Sequence, residues 1–241
     1  GWDAGGLTGT ALSQAGPVIL GSWADSGRHG LDVAVWTRHG DRWTRAARPG
    51  SGLAATADRQ PSPGAVTDLP GGGLLAVGWV TVLGERIRDE AVLWTAADPA
   101  GPWREVSLPS TGAGTQRPTA VDCTEDHCIV AGSSDEDVAL WRVDLADGRV
   151  VPARPRTALS DVVHSSAPVI RVAAGEVDTV AHSEPAGGAA GDRDGTTRVV
   201  RMAPGGEKTP AELPGRLAAM ATEPRGAVLV ATTTAAWRHD P

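Results

Sequence analysis

A chain of 241 residues with 41% hydrophobic side chains is long enough to bury one sizeable core, and its net charge of −7, with acids and bases interspersed, excludes the clustered positive surface a nucleic-acid partner requires. No run approaches the roughly 18 apolar residues of a membrane-spanning helix, and Gly1-Trp2-Asp3 has neither a basic start nor an apolar run behind it, so any export signal or anchor is expected outside this sequence. Phe, Tyr and Asn are absent and Lys208 is the sole lysine, a GC-rich, actinobacterial kind of usage that makes each Arg and Trp weaker testimony to a ligand than elsewhere.

Along the chain one phrase recurs: an apolar run ending in a small residue, a polar loop, then an alternating run ending in Trp. It first appears as Val18-Ile19-Leu20-Gly21-Ser22-Trp23, followed by Asp32-Val33-Ala34-Val35-Trp36. Leu74 to Trp79 and Glu90 to Trp94 repeat it, as do Ile129 to Ser133 and Asp137 to Trp141. A degenerate copy covers Val177 to Ser183 and Thr196 to Met202, with Arg201 in the place of Trp. The last copy is Val228 to Thr232 and Thr234 to Trp237. Alternating segments such as Gly64 to Asp68, Pro118 to Asp122 and Arg216 to Ala221 precede the phrase, and Gly-containing turns such as His39-Gly40-Asp41-Arg42 follow it. No useful length shows a 3.6-residue apolar period, so very little helix is expected.

Five copies in 241 residues make about 48 residues per unit, the length of a four-stranded propeller blade. The prediction is an all-β, five-bladed β-propeller forming one domain over residues 1–241, with blades at 6–48, 62–108, 117–153, 157–212, and 216–241 plus 1–5. The segment around Trp2 is expected to supply the outer strand of the last blade. A six-bladed ring, with Thr157 to Ala173 contributing to an extra unit, is the alternative. Trp36, Trp94, Trp141 and Trp237 recur at one position and read as wedges filling the widening gaps between blades.

The only cysteines, Cys123 and Cys128, flank Thr124-Glu125-Asp126-His127 in a predicted hairpin, which sets them opposite one another within disulfide reach. Closing so short a loop contributes about 2 kcal/mol by chain entropy, so the bridge pins one hairpin. A metal site built on Cys123, His127 and Cys128 is the rival reading, and it lacks a fourth ligand at a familiar spacing. A paired set with no free thiol points to an oxidising location, extracellular or in the cell envelope.

Thr37, Gly40 and Trp43, and more loosely Thr95, Asp98, Gly101 and Trp103, resemble the Asp-box (BNR-type) turn of bacterial secreted propellers and sialidases. That resemblance implies the propeller fold. His39 stands where the motif has Asp, and the last two units lack the motif. The retaining sialidase mechanism, which uses a Tyr nucleophile, is excluded for this tyrosine-free sequence.

The inner-strand starts offer no carboxylate pair, no glycine loop leads into a helix, and no metal or cofactor is indicated. His29, His39, His164, His182 and His239 are scattered and read as surface or strand-end residues. A non-catalytic role is therefore expected, with a protein partner as the main reading and a glycan as the alternative. Loops leaving the second strand and entering the first meet on one face of a propeller. The candidate ligand-binding residues there are Trp23, Trp79, Arg59, Gln60, Gln116 and Arg117, which would together form an aromatic platform beside polar and cationic groups.

Overall fold

The computed structural model describes residues 5–24, 30–46, 51–111, 115–134, 138–153, 169–183, 195–203, 206–223 and 227–239. The protein is an all-β, five-bladed β-propeller whose blades are consecutive antiparallel sheets with neighbouring strands adjacent in the chain. Blade 1 comprises β1 (Gly5–Ser13), β2 (Gly16–Trp23), β3 (Asp32–His39) and β4 (Arg42–Arg45). After a short 3-10 turn at Ser51–Leu53, blade 2 follows with β5 (Arg59–Asp68), β6 (Leu74–Val82), β7 (Arg88–Ala96) and β8 (Arg104–Ser107). Blade 3 has β9 (Gln116–Cys123), β10 (His127–Ser134), β11 (Val138–Asp144) and β12 (Val150–Ala153). Blade 4 has β13 (Val169–Ala173), β14 (Asp178–Ser183), β15 (Thr196–Ala203) and β16 (Gly206–Pro214), and blade 5 has β17 (Leu217–Thr222), β18 (Val228–Thr232) and β19 (Ala236–His239). Thr157 to Ala173 builds no sixth sheet among the described residues: Val169–Ala173 is the first strand of blade 4. The expected outer strand around Trp2 lies outside the described residues. No helix among the described residues is long and apolar enough to cross a membrane.

The chain divides into two compact units, Gly1–Ser110 with Thr115–Thr119, and Thr111–Gly114 with Ala120–Pro241. In the first, blades 1 and 2 pack face to face, because side chains alternate along a strand and each sheet turns one apolar row toward the other. Val18, Leu20, Val33 and Val35 from blade 1 meet Leu74, Ala76, Val80, Val92 and Trp94 from blade 2, with Leu53 of the linking turn and Trp103 completing the seam. Trp94 is fully buried, and its indole N–H donates to Gly52 O at 3.1 Å and Glu105 Oε2 at 3.2 Å. The large ring fits because its neighbour on β6 is Gly78, where a Cβ would lie 2.9 Å from the Trp94 ring and 2.1 Å from the Ser62 carbonyl oxygen.

In the second unit, blades 3 and 4 share Ala120, Ala131, Val138, Leu140, Ile170, Val180 and Val200. Blades 4 and 5 share Ala173, Ala181, Val199, Leu217, Val228 and Val230, with Trp237 half-buried against them. Trp237 and Trp94 thus both face the preceding blade of their unit; Trp141 is fully buried and Trp36 half-buried.

The strand register corrects the alignment of the degenerate copy. Each phrase Trp pairs with the residue two before the glycine position: Trp36 with Ile19, Trp94 with Ala76, Trp141 with Val130, and Trp237 with Val230. The matching pair in blade 4 is Val180 with Val200, so Val200, not Arg201, stands in place of Trp. A one-residue slip matters because it moves a side chain to the opposite face. The same correspondence puts His182 where Gly21, Gly78 and Gly132 stand in blades 1 to 3.

The disulfide joins Cys123 to Cys128 across a Cα separation of 4.0 Å. The turn between them is tighter than the expected four-residue loop, since β10 already begins at His127 and Thr124 N donates to His127 O at 2.8 Å.

Candidate functional site

In each blade the first and third strands begin, and the second ends, at one edge, here called the upper end. At the upper end of the first unit the six candidate residues do not share one environment, and only Trp79 and Arg117 are brought together.

Trp79 and Arg117 meet. The guanidinium lies 5.6 Å from the indole centroid, and its Nε and Nη2 groups both reach Asp89 Oδ2 at 2.7 Å. The second oxygen of Asp89 accepts from Thr81 Oγ1 at 2.6 Å. With the Asp89 side chain 6% exposed and that of Arg117 52% exposed, a buried anchor holds a cation whose outer edge faces solvent. Such a charge-assisted, stacked arrangement fixes the guanidinium plane in advance of any ligand.

Trp23 lies elsewhere. Val18 and Leu20 of β2 face blade 2, so Trp23, of opposite parity, faces away from it; Val80 of β6 faces blade 1, so Trp79 also faces away from the shared seam. The two indoles therefore lie on opposite sides of the paired blades and do not make the single platform expected from their similar positions in the sequence. Trp23 packs edge-on against Trp36, with centroids 6.2 Å apart, and carries the Arg45 guanidinium over its ring at 5.4 Å.

Arg59, Gln60 and Gln116 are built into the scaffold, each with partners of its own. Arg59 Nη2 pairs with Glu105 Oε1 at 2.7 Å, the same carboxylate that takes the Trp94 N–H. Gln60 Nε2 donates to Thr56 O at 2.6 Å, and Gln116 is buried, with its amide 3.5 Å from Ser110 Oγ. Asp32, at the start of β3, accepts the Ala55 N–H at 2.7 Å and ties the linking segment to blade 1.

Sequence reasoning missed the carboxylates. Asp32 and Asp89 both stand just ahead of a Trp-ending run, as does Asp137, and that recurrence was visible in the sequence. Their roles differ because the first meets a backbone amide and the second a guanidinium from the next inner strand. In the second unit His182, expected as a surface or strand-end residue, stands next to the end of β14 but is 2% exposed, and its Nε2 has no hydrogen-bond partner among the described residues. Burial, reinforced by the nearby Arg198 charge, pushes its pKa down to about 4, so the ring stays neutral at pH 7. His39 is exposed as expected, while His29 and His164 lie outside the described residues.

No protein-family profile matches the chain, and no curated protein sequence matches it. Among solved structures it is similar to a Penicillium chrysogenum α-L-arabinanase complexed with arabinobiose, at 13% identity and a TM-score of 0.55, covering 97% of this chain and 77% of that one. It is also similar to a levansucrase from Bacillus subtilis, at 9% identity and a TM-score of 0.58, covering 94% and 79% respectively. Identities this low speak for the fold alone. They overturn the likeness to sialidase-type repeats: the five-bladed propeller fold is the one the chain shares with the arabinanase and the levansucrase. The misleading residues report turn chemistry. Asp98 Oδ1 accepts the Ala100 N–H at 2.7 Å and Asp98 O the Gly101 N–H at 2.9 Å, an Asx-type turn that recurs in unrelated hairpins.

Proposed function

We propose that this domain recognises carbohydrate in an extracellular or cell-envelope setting, binding it at the upper end of the first unit without hydrolysing it. The observation that carries the reading is the Trp79–Arg117–Asp89 cluster, in which a guanidinium oriented by a buried carboxylate lies over an indole at a strand edge. Sugars bind through such pairs, their C–H faces against an aromatic ring and their hydroxyls on a fixed donor fork. The shared fold with an arabinanase that holds arabinobiose and with a levansucrase supports a glycan ligand over the generic protein-docking role. The disulfide supports an exported location.

Binding is favoured over hydrolysis because three carboxylates described at this end are already engaged. Asp32 holds a backbone amide, Asp89 holds Arg117 and Thr81, and Glu105 holds Arg59 and Trp94. A glycan array of pentose and hexose oligosaccharides, followed by calorimetry on the retained sugars, tests the reading. Trp79→Ala is expected to weaken binding by roughly tenfold or more. Failure of the native domain to retain any glycan would sink the proposal, and release of reducing sugar from a bound oligosaccharide would convert it into a glycosidase.

A further inference from the structure

At the lower end of the second unit, two of the three residues through which blade 3 grips the β13–β14 turn of blade 4, Asp122 and His127, each sit next to a cysteine, and the third is Arg142. Asp122, beside Cys123, accepts the Ala174 N–H on Oδ2 at 2.9 Å. His127, beside Cys128, places Nε2 2.7 Å from Asp178 Oδ1, and its Nδ1 lies 3.0 Å from Thr124 Oγ1. Asp178 also receives Arg142 Nη1 on Oδ2 at 3.0 Å and the Gly175 N–H on Oδ1 at 3.3 Å. The His127 and Asp178 side chains are only 7% and 5% exposed, so this contact is sealed rather than solvated.

The disulfide thus sets the spacing between two grips on adjacent strands. Cys128 is fully buried while Cys123 is partly exposed, so a reductant can approach from one side only.

We propose that Cys123–Cys128 is a redox-controlled site, and that its reduction by a dithiol releases the lower end of the seam between blades 3 and 4. A reductant thiolate attacks Cys123 Sγ, the S–S bond breaks, and Cys128 leaves as a thiolate that takes up a proton. The reductant's second thiol then resolves the mixed disulfide. Two electrons and two protons pass to the cysteine pair, and the dithiol becomes a cyclic disulfide. With the cross-link gone, Asp122 and His127 no longer hold a fixed separation, and their polar contacts exchange for water. The apolar middle of the seam, Ala131, Leu140, Val180 and Val200, stays closed.

Hydrogen exchange by NMR on the oxidised and dithiothreitol-reduced protein tests this. The Ala174 and Gly175 amides are expected to exchange roughly tenfold faster after reduction, while the Ala55 amide, bonded to Asp32 in the first unit, changes less than about twofold. Unchanged rates at Ala174 and Gly175 overturn the proposal, as does a uniform rise that includes Ala55. Linkage supplies a second reading, since a grip that stabilises the disulfide must be stabilised by it in turn. His127→Ala in the oxidised protein should therefore shift the reduction equilibrium in a dithiothreitol buffer toward the dithiol by roughly the same tenfold factor. Asp122→Ala replaces it if H127A does not fold, and an unshifted equilibrium refutes the coupling.

Discussion

The seam between blades 1 and 2 and the seam between blades 3 and 4 solve one packing problem in two ways. In the first, an indole fills the gap: Trp94 lies against Gly78, its N–H satisfied by Gly52 and Glu105. In the second, the indole is replaced by Val200 and the glycine by His182, so an imidazole approaches from β14 where a ring elsewhere approaches from the third strand. The volumes are exchanged between neighbouring strands. The electrostatics are not, because His182 Nε2 lacks a partner among the described residues while Trp94 Nε1 has two. An indole does not titrate, and an imidazole does.

The largest expected effect comes from emptying the first seam. Trp94→Ala leaves a cavity and strips Gly52 O and Glu105 of a donor, at a cost of about 3–5 kcal/mol in chemical denaturation. A loss below about 1 kcal/mol would mean the indole is not the wedge of this seam.

Acid should single out the second seam. The His182 pKa is lowered in the folded state, to about 4 from 6.5, so between those values the unfolded chain binds the proton first. The stabilisation is whole above pH 6.5, falls as pH drops through this window, and is gone below about 4, amounting to on the order of 3 kcal/mol. Denaturation curves at several pH values for the native protein and His182→Leu check it, since the variant should lose this slope.

Transplanting the first solution into the second is the sharper test. Val200→Trp alone should overpack against His182, and His182→Gly alone should leave a void. The double variant should recover about 1–2 kcal/mol relative to the sum of the singles, read from a double-mutant cycle. Strict additivity would show that the two positions do not share one space. The smallest change concerns neither seam: Arg238→Ala removes an exposed pair with Glu223 at 3.1 Å and should alter stability by less than about 0.5 kcal/mol.

Much of this architecture was legible before any coordinates. Strand period, Gly-containing turns and the recurring Trp are local signals, and they were enough for five blades of antiparallel sheet and the Cys123–Cys128 bridge. The candidate site was less legible. Trp23 ends β2 while Trp79 lies three residues before the end of β6, and relative to the glycine they are offset by one position, which sends them to opposite sides. Asp89 carries no local signal of its role because its partner is Arg117, 28 residues away.

Composition and periodicity by themselves determined that this chain builds strands, where they turn, and that its thiols pair, because each depends on a few neighbouring residues. Tertiary structure alone decided which face each tryptophan takes, that His182 is buried and neutral, and that Arg117 is held by Asp89 over Trp79. Those outcomes turn on register and on contact between distant strands, where a shift of one residue exchanges core for surface.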